Sequence, residues 1–315
     1  MKTIALLFPG QGSQVVGMGK DFYGNFRESR MAFEEASDTI HVNLEKLCFD
    51  GPLDELTLTE NLQPALFTTE AAMMAAIKAN IEMTPFVTAG HSLGEYAALY
   101  AAGSLSLVDG VRLCRRRGSA MQQAVPLGKG TMAAVLGLEG AQVEALCRKA
   151  RAALPSKEVV EPANFNAPGQ VVIAGTVDGV AKATALLKTD SEFQGGKSIA
   201  LQVSAPFHCS LMEPARLEMA PLLSQVRFDK PNCMVIPNVS AVPTDSELIF
   251  GSLLTDQIVR PVRWEESMMK LQTLGITTAI EVGPGKVLAG LMKRINREMP
   301  FKNISTVQQM SEAFK

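Results

Sequence analysis

The stretch Phe86-Val87-Thr88-Ala89-Gly90-His91-Ser92-Leu93-Gly94-Glu95 decides how this chain is read. Residues 86–89 follow Pro85 and have the character of a short buried strand. They run into Gly90-His91-Ser92-Leu93-Gly94, a G-x-S-x-G spacing, and an alanine-rich helical pattern continues to about residue 102. Strand, sharp turn and helix form the context in which such a serine serves as a nucleophile. Small neighbours give the turn room. The turn lifts the hydroxyl out of the sheet edge to a helix N-terminus, where backbone donors stabilise an oxyanion. A serine that only caps a helix is the bland alternative; the apolar strand before it favours the nucleophile.

Towards the N-terminus, residues 3–8 form an apolar run that ends in Phe8-Pro9-Gly10-Gln11-Gly12-Ser13-Gln14. With Lys2 in front it imitates a signal peptide. It is too short for an h-region and no small-residue cleavage site follows, so a buried strand is expected. Helical patterns cover 27–40, 63–81 and 107–123, the last carrying Arg112, Arg115, Arg116 and Arg117. Strands alternating with helices predict an α/β fold with a parallel sheet covered on both faces.

The middle has another rhythm. Residues 131–136, 141–153, 159–164, 170–174, 180–187 and 197–203 read as strand, helix, strand, strand, helix, strand. That is the ferredoxin-like order. Gly128, Gly130, Gly195 and Gly196 flank it, so a small ferredoxin-like subdomain, 128–203, is expected as an insert. The large α/β catalytic unit would comprise 1–127 and 204–315. It resumes with helical patterns over 210–225, 246–259 and 264–274 and strands over 234–237 and 278–282. The turn Gly283-Pro284-Gly285 and a helix to about residue 297 follow.

Composition agrees with about two units in 315 residues. Lys plus Arg number 30 and Asp plus Glu 32, giving a net charge of -2, and aromatic residues are 6%. Neither a phosphate-binding field nor a base-stacking platform is present, so no nucleic acid partner is expected. No apolar stretch is long enough to span a bilayer. The five cysteines are scattered and odd in number, without a CxxC pair. They suggest neither a disulfide framework nor a zinc site and fit a reducing cytoplasm. No metal and no cofactor are expected.

A nucleophilic serine needs a base. Of three histidines, His91 adjoins Ser92 and is expected to point away from it, and His41 lies in a polar stretch between helical patterns. His208, in Ser204-Ala205-Pro206-Phe207-His208-Cys209, follows a strand and precedes a helix, as an active-site loop would. Cys209 beside it is read as packing. No acid declares itself as the partner of His208. A backbone carbonyl can hold the Nδ1 proton instead, fixing the tautomer without a charge.

With these residues in place the sequence resembles the malonyl-CoA:acyl carrier protein transacylases and the related acyltransferase domains of polyketide and fatty acid synthases. The N-terminal part of the resemblance is Phe8 to Gln14, the elbow with Glu95, Arg117-Gly118 with Met121-Gln122, and Asn164-Phe165-Asn166-Ala167-Pro168-Gly169-Gln170. It continues through Pro206-Phe207-His208-Cys209, Gln257 with Pro261-Val262 and Trp264, and Glu281-Val282-Gly283-Pro284-Gly285. These occur in the family's order and span almost the whole chain. The resemblance implies a hydrolase-like parallel-sheet core with the ferredoxin-like insert.

The resemblance also implies roles. Ser92 would be the nucleophile, His208 the base, and Gln257 the donor of the carbonyl that holds His208. The amides of Gln11 and Leu93 would form the oxyanion hole. Arg117 would grip the free carboxylate of malonyl, for which a planar fork suits better than a lysine. Gln63 and Asn166 would line the site. Phe207 stands where many stand-alone members have Ser; Phe there is common in malonyl-selecting polyketide acyltransferases. The implied reaction is ping-pong transfer of malonyl from malonyl-CoA to the phosphopantetheine thiol of holo-acyl carrier protein, supplying extender units for fatty acid synthesis. The expected enzyme is a cytoplasmic monomer. A polyketide acyltransferase, a serine thioesterase or hydrolase, and an inactive carrier-binding module are the alternatives. Arg115 and Arg116 are outside the pattern and are expected to be solvated or to touch an acidic carrier.

Overall fold

The computed structural model describes residues 3–315. Its first sheet is wholly parallel, built from β1 (Ile4–Phe8), β2 (Val87–Gly90), β7 (Met234–Ile236), β9 (Thr278–Val282) and β10 (Phe301–Ile304) in the order β10-β9-β1-β2-β7. β1 is Ile-Ala-Leu-Leu-Phe, and its residues Ala5–Phe8 have no exposed surface. A continuous apolar run suits a central parallel strand covered on both faces. From β1 the chain moves outward through β2 and β7, then returns to the other side of β1 for β9 and β10. The crevice beyond the carboxyl ends of the strands at such a reversal is where open α/β sheets bind ligands.

β3 (Gly130–Leu136), β4 (Val160–Ala167), β5 (Gln170–Thr176) and β6 (Lys197–Ala200) form a second sheet, ordered β6-β3-β5-β4, with antiparallel neighbours. Two helices, Gly140–Ala152 and Val177–Thr189, complete the ferredoxin-like order. Alternation divides the strands. Ala133, Val135, Val171 and Ile173 pack with the small unit's own helices. Met132, Ala134, Val172 and Ala174 turn to the large core.

The sequence reading omitted two strands. β8 (Val262–Arg263) joins the outer edge of β4 in parallel, with Asn164 opposite Val262. A two-residue strand has no periodicity to reveal it. β10 falls beyond the last expected helix, in residues to which no element was assigned, and Phe301 to Ile304 pair with Ala279 to Val282. The last strand of the insert ends at Ala200, shorter than the expected 197–203, and the helix expected over 246–259 is helical over Phe250–Gln257 after a turn of 3-10 helix. Among the described residues no helix is long and apolar enough to cross a membrane.

The elbow is fixed by close approach. Phe8 lies opposite Gly90, and a Cβ on Gly94 would meet the Phe8 carbonyl oxygen at 2.2 Å. A Cβ on Gly90 would fall 1.9 Å from the backbone of Gly94. The helix Gly94–Ala101 therefore lies directly on β1 and β2. Gly94→Ala is expected to yield little soluble protein, or protein destabilised by about 1–3 kcal/mol or more, because the collision is with backbone that cannot swing aside. Thermal unfolding beside the parent checks this; an unchanged midpoint would show that the helix can shift.

Candidate active site

β2 ends at Gly90 and the turn lifts Ser92 into a left-handed conformation with φ 53°. A non-glycine residue held there costs about 1–3 kcal/mol unless its surroundings compensate. Here two side chains hold its backbone. Ser92 N–H donates to Asn238 Oδ1 at 2.7 Å, and Ser92 C=O accepts from Gln257 Nε2 at 2.9 Å. Asn238 reaches back to the Gly90 carbonyl at 2.6 Å. Neither Asn238 nor the Gln257 side chain was foreseen. Asn238 stands just past β7, and only the pairing of β7 with β2 brings it to the elbow.

His208 meets Ser92. Its Nε2 is 2.7 Å from Ser92 Oγ, and its Nδ1 is 2.8 Å from the Gln257 carbonyl oxygen. A carbonyl only accepts, so Nδ1 carries the proton and Nε2 is free to accept from the serine hydroxyl. His208 is 3% exposed. Burial first, then the Arg117 charge, push its pKa down to about 3, and the imidazole is neutral at physiological pH. His208 is itself left-handed, with φ 60°. Cys209 donates to the Pro206 carbonyl at 3.1 Å and is buried, as packing requires.

Arg117 comes from the helix Leu107–Gln123, started by Ser106, whose Oγ accepts from Asp109 N–H at 3.0 Å. That helix crosses Thr59–Asn80 closely: a Cβ on Gly118 would meet the Thr59 carbonyl at 2.5 Å. The crossing brings Gln63 against Arg117, with Nη1 donating to Gln63 Oε1 at 2.8 Å. Nη2 donates to Ser92 Oγ at 3.0 Å and to Gln257 Oε1 at 2.8 Å. The guanidinium is 1% exposed, and none of the ion pairs among the described residues includes it. A buried cation held only by neutral oxygens is prepared for an anion.

The remaining expected residues fall at or beside one cavity of about 210 Å³. Gln11, Gln63, Asn166 and Phe207 line it, with Met121 and Met132 among its apolar walls. Gly10 rides on the elbow, since a Cβ there would sit 2.4 Å from the His91 carbonyl, and Gln11, next in the chain, lines the same cavity as Ser92. Leu93, the residue after the nucleophile, is buried. Among the described residues neither the Gln11 nor the Leu93 N–H has a protein acceptor.

Two expectations change. His91 does not turn away from the site: its ring lines the cavity and its Nε2 meets Asn166 Oδ1 at 2.8 Å, tying the elbow to the second sheet. Arg115 is not solvated, because its Nη1 donates to the Glu60 carbonyl at 2.8 Å and to Asn61 Oδ1 at 2.6 Å. Arg116 is solvated, as expected, and forms a surface ion pair with Glu218 at 2.8 Å. His41 is exposed at the end of the helix Arg27–Ile40, as expected.

A serine on a strand–helix elbow, a neutral buried histidine and a buried arginine at the serine oxygen define a site for transferring an acyl group that carries a negative charge. The chain belongs to the acyl transferase domain family, which it matches over residues 5–313. Among its relatives is the malonyl CoA-acyl carrier protein transacylase of Bacillus subtilis, 45% identical over 299 residues, covering 95% of this chain and 92% of that one. The crystal structure of an acyl-carrier-protein S-malonyltransferase from Burkholderia pseudomallei superposes with a TM-score of 0.93 at 42% identity, covering 100% and 99% of the two chains. A malonyl-transacylase solved in complex with its type II polyketide acyl-carrier protein superposes with a TM-score of 0.93 at 36% identity, covering 99% and 98%.

Proposed function

We propose that this protein moves malonyl from malonyl-CoA to the phosphopantetheine thiol of holo-acyl carrier protein through a malonyl ester on Ser92. The observation that carries the reading is Arg117, buried without a carboxylate and 3.0 Å from Ser92 Oγ. The names of the relatives point the same way.

His208 Nε2 takes the Ser92 proton as Oγ attacks the thioester carbonyl. The oxyanion rests on the amides of Gln11 and Leu93, and Arg117 holds the malonyl carboxylate. The C–S bond breaks, and coenzyme A leaves with the proton from His208. The carrier's thiol then gives its proton to His208 and attacks the ester carbonyl. Ser92 Oγ departs, reprotonated by His208. The Gln257 carbonyl holds the imidazole in its working tautomer throughout. Gln63 and Gln257 keep Arg117 aimed, and Phe207 and Asn166 shape the acyl pocket. The reaction as written uses two substrates and no cofactor.

We read the product as an extender unit for fatty acid synthesis, made in the cytoplasm by a monomer. Five free cysteines and a site assembled within one chain support this. The likeness to a transacylase bound to a polyketide carrier supports a second reading, service to a polyketide carrier. The two carriers, offered in competition, separate these readings by their rates of malonylation.

The test of the chemistry is intact mass after mixing the protein with equal malonyl-CoA and acetyl-CoA. A malonyl adduct on Ser92 that passes to holo-carrier is expected. An adduct lost only to water would replace the transferase with a hydrolase.

A further inference from the structure

Glu95, one turn past the nucleophile, is 1% exposed and takes no part in the steps above. Its Oε2 accepts from Gln257 Nε2 at 2.6 Å and from Asn238 N–H at 3.0 Å. A carboxylate only accepts, so Gln257 must turn its NH₂ to Glu95 and its Oε1 away. That Oε1 is the oxygen that accepts from Arg117. A flipped amide would set oxygen against carboxylate and NH₂ against guanidinium. The charge of the carboxylate is also coupled to that of Arg117.

We infer that Glu95 is a positioning residue for the acyl carboxylate: through Gln257 it holds Arg117 at the nucleophile, and its own charge competes with the incoming acyl group for that cation. This rests on the reading that Arg117 receives the carboxylate.

The groups facing Glu95 are Gln257 from the helix Phe250–Gln257, Asn238 from the turn after β7, and Arg117 from the helix Leu107–Gln123. Only Arg117 is charged; His208 is neutral across the relevant range. Burial raises the Glu95 carboxyl to about 7, against the lowering effect of Asn238, Gln257 and Arg117. Glu95 thus gains its charge as pH rises through neutrality. By linkage, a malonyl group that tightens proton binding to Glu95 about tenfold must itself bind about tenfold more weakly once Glu95 is ionised. Acetyl-CoA carries the same nucleotide and no acyl charge, so the ratio of the two isolates the effect.

The experiment measures half-saturation for Ser92 acylation by malonyl-CoA and by acetyl-CoA between pH 6 and about 8.5, in the parent, Glu95→Gln, Glu95→Ala and Arg117→Ala. In the parent the malonyl-to-acetyl ratio is expected to rise about tenfold with pH. Glu95→Gln keeps an acceptor for Gln257 and Asn238 but no charge, so its ratio should be flat while its maximal rate stays near the parent's. Glu95→Ala loses the restraint on Gln257, and its maximal rate with malonyl should fall. A flat parent ratio, an equal rise in Glu95→Gln, or equal rates in the Gln and Ala variants would overturn the inference. Arg117→Ala separates the two claims: an intact malonyl preference there rejects the reading of Arg117 itself. A lost preference there with a flat parent ratio rejects Glu95 alone.

Discussion

Replacing His208 with alanine is expected to slow acylation of Ser92 by about 100- to 10,000-fold. The proposed mechanism routes the serine proton through the 2.7 Å contact between Nε2 and Ser92 Oγ, and no other histidine in the described residues contacts that oxygen. Arg117 Nη2 also touches Oγ, but a guanidinium only donates. Single-turnover acylation followed by intact mass reads the loss. Near-normal acylation would mean that the base is misassigned. The parent's pH profile gives a second reading. The working form is the neutral imidazole, and burial holds its pKa at about 3. On the acid side, kcat/KM for acylation should therefore persist well below the ordinary histidine value of about 6.5 and decline only toward that lower value.

Replacing Arg117 with alanine is expected to remove the preference for malonyl. A malonyl carboxylate brought into this cavity without the guanidinium is desolvated and unpaired, which costs on the order of 2–5 kcal/mol. That corresponds to a loss of roughly 30- to 5,000-fold with malonyl-CoA. Acetyl-CoA brings no charge and should lose much less. Parallel rates with the two thioesters decide the matter: equal losses would assign Arg117 to the nucleophile alone, through its 3.0 Å contact with Ser92 Oγ. Lysine at this position should restore only part of the preference, since it lacks the planar fork.

The elbow was legible in the sequence because it is local. Strand, turn and helix occupy about fifteen consecutive residues, and the glycines on either side of Ser92 mark the close approach of Gly94 to β1. His208 emerged by elimination among three histidines, a route open only because histidine is scarce here. Arg117, Gln11 and Gln257 came from the resemblance; no spacing in the chain alone selects them from other polar residues. Asn238, the Gln257 side chain and the tie between His91 and Asn166 were not legible. Each depends on which strands lie side by side, β2 with β7 or β4 with β8, and pairing over such separations leaves no local pattern. The bond between His91 and Asn166 overrides the expectation that a residue beside the nucleophile faces elsewhere.

The position of β1 has a consequence for how the chain is made. Ile4 pairs with Thr278, and the strand between β2 and β9 carries the loop that presents Gln11. Synthesis delivers β1 long before β9. Until residues 278–282 leave the ribosome, the wholly apolar β1 has one edge unpaired. Closing a loop of that length is slow compared with local helix formation, so the open edge of β1 persists while the intervening residues are made. The same arrangement that puts the Gln11 loop at the centre of the sheet leaves β1 open to wrong pairing until β9 arrives.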